Sequence, residues 1–284
     1  MIGPTADRVR DRLHLQHGPI DLIIGVDGAR HSAFAAAEAR FGTILQELVD
    51  ELPDLRRQIS AVSPIPNSET GKRMHAATMP HAKTFVTAMA AVAGSVADTI
   101  ITAIKQTNVT RAYVNNGGDI AVHLTDGAKF TLAMVDHQNQ SLGRVALTAH
   151  NGVGGIATSG RHGRSLSLGI ADSVTVLART AATADVAATL IANAVDLPDH
   201  QGITRRPAEQ IQDDSDLAQR LVVTDVAPLT VNEVGIALDA GHTIADEMLK
   251  NNQIIAAVLY LGGQSRMVAP TQQTLITNRT PSYA

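Results

Sequence analysis

The stretch Gly154–Leu190, GGIATSGRHGRSLSLGIADSVTVLARTAATADVAATL, constrains this chain more than any other. It opens on a glycine-rich turn with the hydroxyl pair Thr158-Ser159 before Gly160. A β-branched segment follows, Ser173-Val174-Thr175-Val176-Leu177, and then an alanine-rich helix carrying Asp185 and Thr189. Residues without bulk let a backbone approach a ligand or another backbone closely. On a helix, Asp185 and Thr189 project from one face, one turn apart. A carboxylate and a hydroxyl so placed offer two hard oxygen ligands, the kind Mg²⁺ takes when phosphates complete its shell. The same pattern also fits an acidic residue favoured by the helix dipole and a threonine that packs or back-bonds to its own helix.

Aromatic residues are 2% of the 284, and tryptophan is absent, so the core must be built from Ala, Val, Ile and Leu in closely packed elements. Hydrophobic residues at 44% and charged residues at 18% are those of a globular chain. A formal net charge of −4, with no basic run or aromatic platform, argues against a nucleic-acid partner. The absence of cysteine excludes disulfides, thiolate metal sites and cysteine nucleophiles. The N-terminus has no apolar signal core, and the longest uncharged helical stretch, Thr84–Ala97, is too short to span a bilayer. A soluble, cytoplasmic protein without a membrane partner is the expectation.

Arg12–His17 and Ile20–Val26 flank His17-Gly18-Pro19 and read as a hairpin. A helical pattern from Ser32 to Ile59 is interrupted or ended at Pro53, and Val62–Met79, with Pro64, Pro66, Asn67 and Gly71, reads as a loop. Lys83–Gln106 is a helix apolar nearly all round, hence buried, with Gly94 in its middle where another helix or a ligand must come close. Arg111–Val114 and Asp119–Leu124 are strands around Asn115-Asn116-Gly117-Gly118, and Lys129–Val135 and Arg144–Ala149 continue the sheet. Gln201–Ser215 reads as an exposed polar insertion. Leu221–Thr224, a helix Asn232–Lys250 and a strand Ile254–Leu261 follow. The fold class is α/β of the α+β type: a largely antiparallel sheet over 111–149 and 173–178, flanked by helices at 83–106 and 181–194, because the turns are too short for parallel crossovers. One domain over 1–271 and a polar tail over 272–284 are expected.

Five segments in order, Met89–Asp98 (MAAVAGSVAD), Val114–Ile120 (VNNGGDI), Ile156–Gly160 (IATSG), Ser173–Val176 (SVTV) and Ala184–Thr189 (ADVAAT), resemble the ApbE-like FAD:protein FMN transferases. The likeness runs from about residue 80 to 260 and is greatest to a cytoplasmic branch of that family. It implies an ApbE-like fold, FAD and Mg²⁺ as cofactors, and an acceptor protein whose threonine or serine hydroxyl attacks the flavin-side phosphorus of FAD, with release of AMP. By the same resemblance the metal would sit on Asp185, Thr189 and the backbone carbonyl of Ala90. The nucleotide would lie against Ala93, Gly94, Gly117, Gly118, Asp119, Thr158, Ser159 and Gly160.

The chain departs from that pattern at three places. Ala93 stands where the family usually has a lysine, and Thr87 where it has an aspartate. The usual histidine-containing segment is shortened to Arg161–Ala171, in which His162 is the one imidazole. By the resemblance, Asp185 and His162 are the catalytic candidates. An FAD pyrophosphatase, with water attacking instead of a protein hydroxyl, and a flavin carrier without turnover are the alternatives. A serine hydrolase is disfavoured because Ser159 is not in a Gly-x-Ser-x-Gly elbow, and a zinc site because no His-x-x-x-His pair is present.

Overall fold

A computed structural model describes residues 3–135, 141–270 and 276–278, the last as backbone only. In chain order the first elements are strands β1 (Thr5–Val9), β2 (Arg12–His17) and β3 (Ile20–Gly28), then helices α1 (Arg30–Leu55), α2 (Glu69–Thr78) and α3 (Val92–Ile104). Strands β4 (Val109–Asn116), β5 (Asp119–Leu124), β6 (Lys129–Val135), β7 (Ser141–Thr148), β8 (Gly155–Ser159) and β9 (Ser173–Ala178) follow. Helix α4 (Ala181–Ala194), β10 (Ile203–Pro207), β11 (Leu221–Val226), helix α5 (Val231–Lys250), β12 (Ala256–Leu261), β13 (Gln264–Val268) and β14 (Ile276–Asn278) complete the order.

Nine strands form one sheet in the order β1-β2-β3-β4-β5-β8-β9-β12-β13. Every neighbouring pair in it is antiparallel. β5 and β8 meet through only two residue pairs, Ile120↔Ile156 and Ala121↔Gly155. Helices α3 and α4 pack on each other and on the middle of the sheet, with α1 against α3 and α5 against α4. Both faces of the central strands are covered, and their side chains divide with a period of two. On β9, Val174, Val176 and Ala178 face the helical core while Leu177 joins Val122, Ile156 and Val258 on the other side. That is why β9 reads as an unbroken apolar run: all six of its residues are buried.

Four expectations are revised. First, β6 and β7 do not continue the main sheet but form a separate sheet in the order β14-β7-β6. Their inward Phe130, Leu132, Met134, Val145 and Leu147 cover the non-helical face, and the edge of β5 is taken by β8. Second, the loop expected over 62–79 contains α2. Ser68 caps it by accepting the Gly71 N–H at 3.0 Å, so Gly71 is not a turn residue. A Cβ there would press on Pro66 and Ser68, which explains the glycine. Third, the helix expected over 83–106 starts at Val92, after a separate 3₁₀ turn at Ala88–Ala91; the break lies at Ala91, with φ −124° and ψ 13°. Fourth, the polar insertion at 201–215 contains β10, which pairs with β11. The polar tail over 272–284 lies outside the described residues except for β14, which pairs with β7.

Candidate functional site

The Asn-Asn-Gly-Gly turn joins β4 to β5 as a two-residue hairpin, with Asn116 opposite Asp119. Gly117 and Gly118 have φ of 65° and 116°, the left-handed values such a turn requires and a side chain resists. The Asn115 carboxamide oxygen accepts the Gly118 N–H at 2.9 Å. The buried Asn116 donates its Nδ2–H to the Ala93 carbonyl at 3.1 Å, tying the turn to the first turn of α3.

Two carboxylates cross between α3 and α4. Asp185 on α4 accepts the Gly94 N–H at 2.9 Å, and the Ala93 N–H also bonds to it. Asp98 on α3 accepts the N–H groups of Ala181 and Ala182, at 3.1 and 2.9 Å. Each carboxylate thus satisfies two of the orphan donors at the start of the opposite helix. The helices approach so closely that a Cβ at Gly94 would collide with the Ala181 carbonyl. A Cβ at Gly155 would collide with Thr180 and Ala181, so β8 needs its glycine for the same helix end.

Asp119, at the start of β5, accepts the Thr158 N–H from β8, while the Thr158 hydroxyl bonds to that of Thr175 at 2.9 Å. Burial pushes the Asp119 carboxyl up to about 7, and the Thr158 N–H and the nearby Arg164 charge oppose that rise. Asp185 is raised well above the usual carboxylate range by burial and then by the charge of Asp119, with Asp98 adding to it. Neighbouring like charges disfavour joint ionisation. Asp119 and Asp185 are therefore an interacting acid pair, although they come from segments far apart in sequence.

Thr189, partly exposed, lies one turn along α4 from Asp185, and the 3₁₀ turn holding Ala90 packs on the same helix. Ser159 ends β8 partly exposed, and Gly160 follows with φ 155°, where a Cβ would collide with the Asp172 carbonyl. A cavity of about 220 Å³ is lined by Ala88 of that turn together with Leu55, Ile59 and His75, and does not include either member of the acid pair. His162, on the segment after β8, has Nε2 at 3.3 Å from Asp172. Asp172 also accepts Nε–H and Nη2–H of Arg161 at 2.9 and 2.7 Å and the Gly262 N–H at 2.8 Å. Among the described residues no group of three or more His, Cys, Asp or Glu side chains is placed to hold a metal ion.

Three participants carried little signal in the sequence. Asp98, 5% exposed, is the lone carboxylate on an apolar helix, which was its one clue. Arg164 lies over Gly117, where a Cβ would fall on its Nη2, and nothing local marks it. Asp216 accepts a hydrogen bond from the hydroxyl of the buried Thr87, bringing a carboxylate from the segment before β11 back to the approach to α3. Arg220 of the same segment stacks 3.3 Å from the Phe85 ring centroid.

The profile of a family described as AbpE bacteria matches residues 5–267. A UPF0280 protein of Methanothermobacter thermautotrophicus is 32% identical over 177 residues, covering 61% of this chain and 68% of that protein. A UPF0280 protein of Methanopyrus kandleri is 36% identical over 136 residues, where the chain spans about half of the relative, 54%, and 48% of itself is matched. Among solved structures, the apo flavinyl transferase ApbE of Pseudomonas stutzeri covers 94% of both chains, at 13% identity and a TM-score of 0.42. No helix among the described residues is long and apolar enough to cross a membrane.

Proposed function

The chain belongs to the family described as AbpE bacteria, and on that premise we propose that it transfers FMN from FAD to a serine or threonine of an acceptor protein, releasing AMP. The observation that carries this reading is the meeting of four sequence-distant segments at one acid pair. Gly94 donates to Asp185, Asn116 to Ala93 and Thr158 to Asp119, and the charge of Asp119 raises Asp185. Those segments are four of the five that carry the resemblance to FMN transferases.

The donor chemistry fits a hard divalent cation. Two repelling carboxyls with raised pKa values are stabilised in their ionised forms by a cation. Asp185 and Thr189 would hold it with the Ala90 carbonyl. An uninterrupted helix would direct the Gly94 N–H to that carbonyl, four residues back; here this N–H bonds to Asp185. Mg²⁺ bound there supplies charge neutralisation for a diphosphate. In the proposed transfer, the acceptor hydroxyl oxygen bonds to the flavin-side phosphorus, and the bond from that phosphorus to the bridging oxygen breaks. AMP leaves with that oxygen, and the hydroxyl proton passes to the Asp119 carboxylate, which a bound cation would keep ionised and so able to act as a general base. The glycine turn at 117–118 and the Thr158–Gly160 segment bring backbone close to the nucleotide.

The test is to incubate the purified protein with FAD and Mg²⁺, with and without candidate acceptor proteins. AMP that appears only with an acceptor, matched by covalently bound FMN, supports transfer. AMP without an acceptor makes the protein an FAD pyrophosphatase. A second reading, a flavin carrier without turnover, is favoured by one observation: His162, the one histidine of its segment, is paired with Asp172. Bound FAD with no AMP under either condition would establish it.

A further inference from the structure

We propose that Arg164 is the phosphate-binding residue of this site, its guanidinium gripping the diphosphate of the nucleotide beside the Gly117 turn. The inference rests on the nucleotide reading above and adds a group which that reading does not contain. Arg164 follows β8 on the short segment that also carries Arg161 and His162. Those two side chains are committed to Asp172. Arg164 is not: among the described residues its guanidinium makes no hydrogen bond and lies within ion-pair distance of no carboxylate, although its charge reaches Asp119. Most other arginines here end on an acid, as with Arg40 and Glu47, Arg205 and Asp196, or Arg266 and Asp239.

Its position beside the turn is open to a ligand. The guanidinium lies where a side chain at residue 117 would reach, so it stands directly over the hairpin turn that precedes Asp119. Around a Cβ at Gly118 the space is open for 4 Å, which leaves a gap beside the cation. A phosphorylated ligand approaching Asp119 and Asp185 meets the charge of two carboxyls, and a cation at the rim offsets that repulsion. Guanidinium suits the task because its planar fork matches two phosphate oxygens at once, is permanently charged and is weakly hydrated.

The experiment compares wild type with Arg164→Gln and Arg164→Lys, titrating FAD, ADP and riboflavin in the presence of Mg²⁺. Arg164 is exposed on a loop, so both variants should fold, and matching thermal unfolding curves check this. Arg164→Gln should weaken FAD and ADP by about ten- to a hundredfold, the loss of a charge-assisted bidentate contact, and leave riboflavin binding unchanged. Arg164→Lys should recover part of the loss, since the charge returns without the fork. Unchanged FAD and ADP affinity in Arg164→Gln overturns the assignment and leaves the flavin reading standing, as does a parallel loss of riboflavin. Wild type that binds ADP but not FAD, with ADP lost in Arg164→Gln, supports the assignment and overturns the flavin reading. Wild type that binds neither overturns both.

Discussion

Asp98 and Asp185 are exchanged between two helices: each caps the helix that carries the other. The arrangement explains a buried carboxylate, a helix that starts abruptly at Val92, and a glycine at 94 where the two helices touch. It also gives Asp185 a structural task alongside its proposed place at a metal, so substitutions at the two aspartates should differ in kind.

Asp98→Ala should lower stability by roughly 2 kcal/mol, because it leaves the Ala181 and Ala182 N–H groups buried without an acceptor. Denaturant unfolding measures the change. Stability equal to wild type would show that this half of the exchange contributes nothing.

Asp185→Asn retains a carbonyl oxygen that can still accept the Gly94 N–H, so its stability loss should be smaller, about 1 kcal/mol or less. Its effect should fall on binding: Mg²⁺ should no longer strengthen FAD affinity, since asparagine removes the charge a hard cation requires. Thr189→Val keeps the side-chain shape and deletes only the hydroxyl, and should weaken the same metal dependence. Isothermal titration with and without Mg²⁺ decides it. FAD binding that is identical in all three proteins rejects the metal site.

The acid pair predicts a pH dependence of defined sign. Asp119 titrates at about 7 in the folded protein against an ordinary 3.8. Below about 3.8 both folded and unfolded forms hold the proton; between about 3.8 and 7 the unfolded chain has released it and the folded one has not. The stability this group contributes is therefore complete at the acid end and is lost as pH rises to about 7. Asp185, raised too, acts in the same direction. Thermal unfolding of ligand-free protein across this window should show the decline, and Asp119→Asn should make it shallower. An equal slope in the variant would place the titration elsewhere.

Asp216→Ala should cost about 1–2 kcal/mol by stranding the buried Thr87 hydroxyl. Adding Thr87→Val should restore most of it, since no polar group then lacks a partner. A double-mutant cycle with no coupling would mean that the contact carries no energy.

Much of the fold could be read from local pattern. Asp119–Leu124, Lys129–Val135 and the helix at 181–194 have the boundaries their periodicity indicates. What periodicity does not carry is which strand neighbours which. β6 and β7 alternate like any half-buried strand, and their departure to a second sheet depends on β8 occupying the edge of β5. Helix α2 was hidden because Gly71 signals a turn unless its packing against Pro66 and Ser68 is known. At the site, Asp185 and Asp119 stood out beside small residues. Their interaction, the exchange with Asp98 and the seat of Arg164 over Gly117 are long-range relations that no single window contains.

The two residue pairs between β5 and β8 make the middle of the nine-stranded sheet its narrowest seam. On one side lies the meander β1–β5; on the other, β8, β9, β12 and β13. Asp119 and Thr158 bond across that line, and Asp98 and Asp185 rivet the helices above it. A nucleotide held there would work as a clasp between the halves, so occupancy should be felt as mechanical cohesion of the whole sheet. When the empty protein is pulled or partly denatured, it should part first along this line.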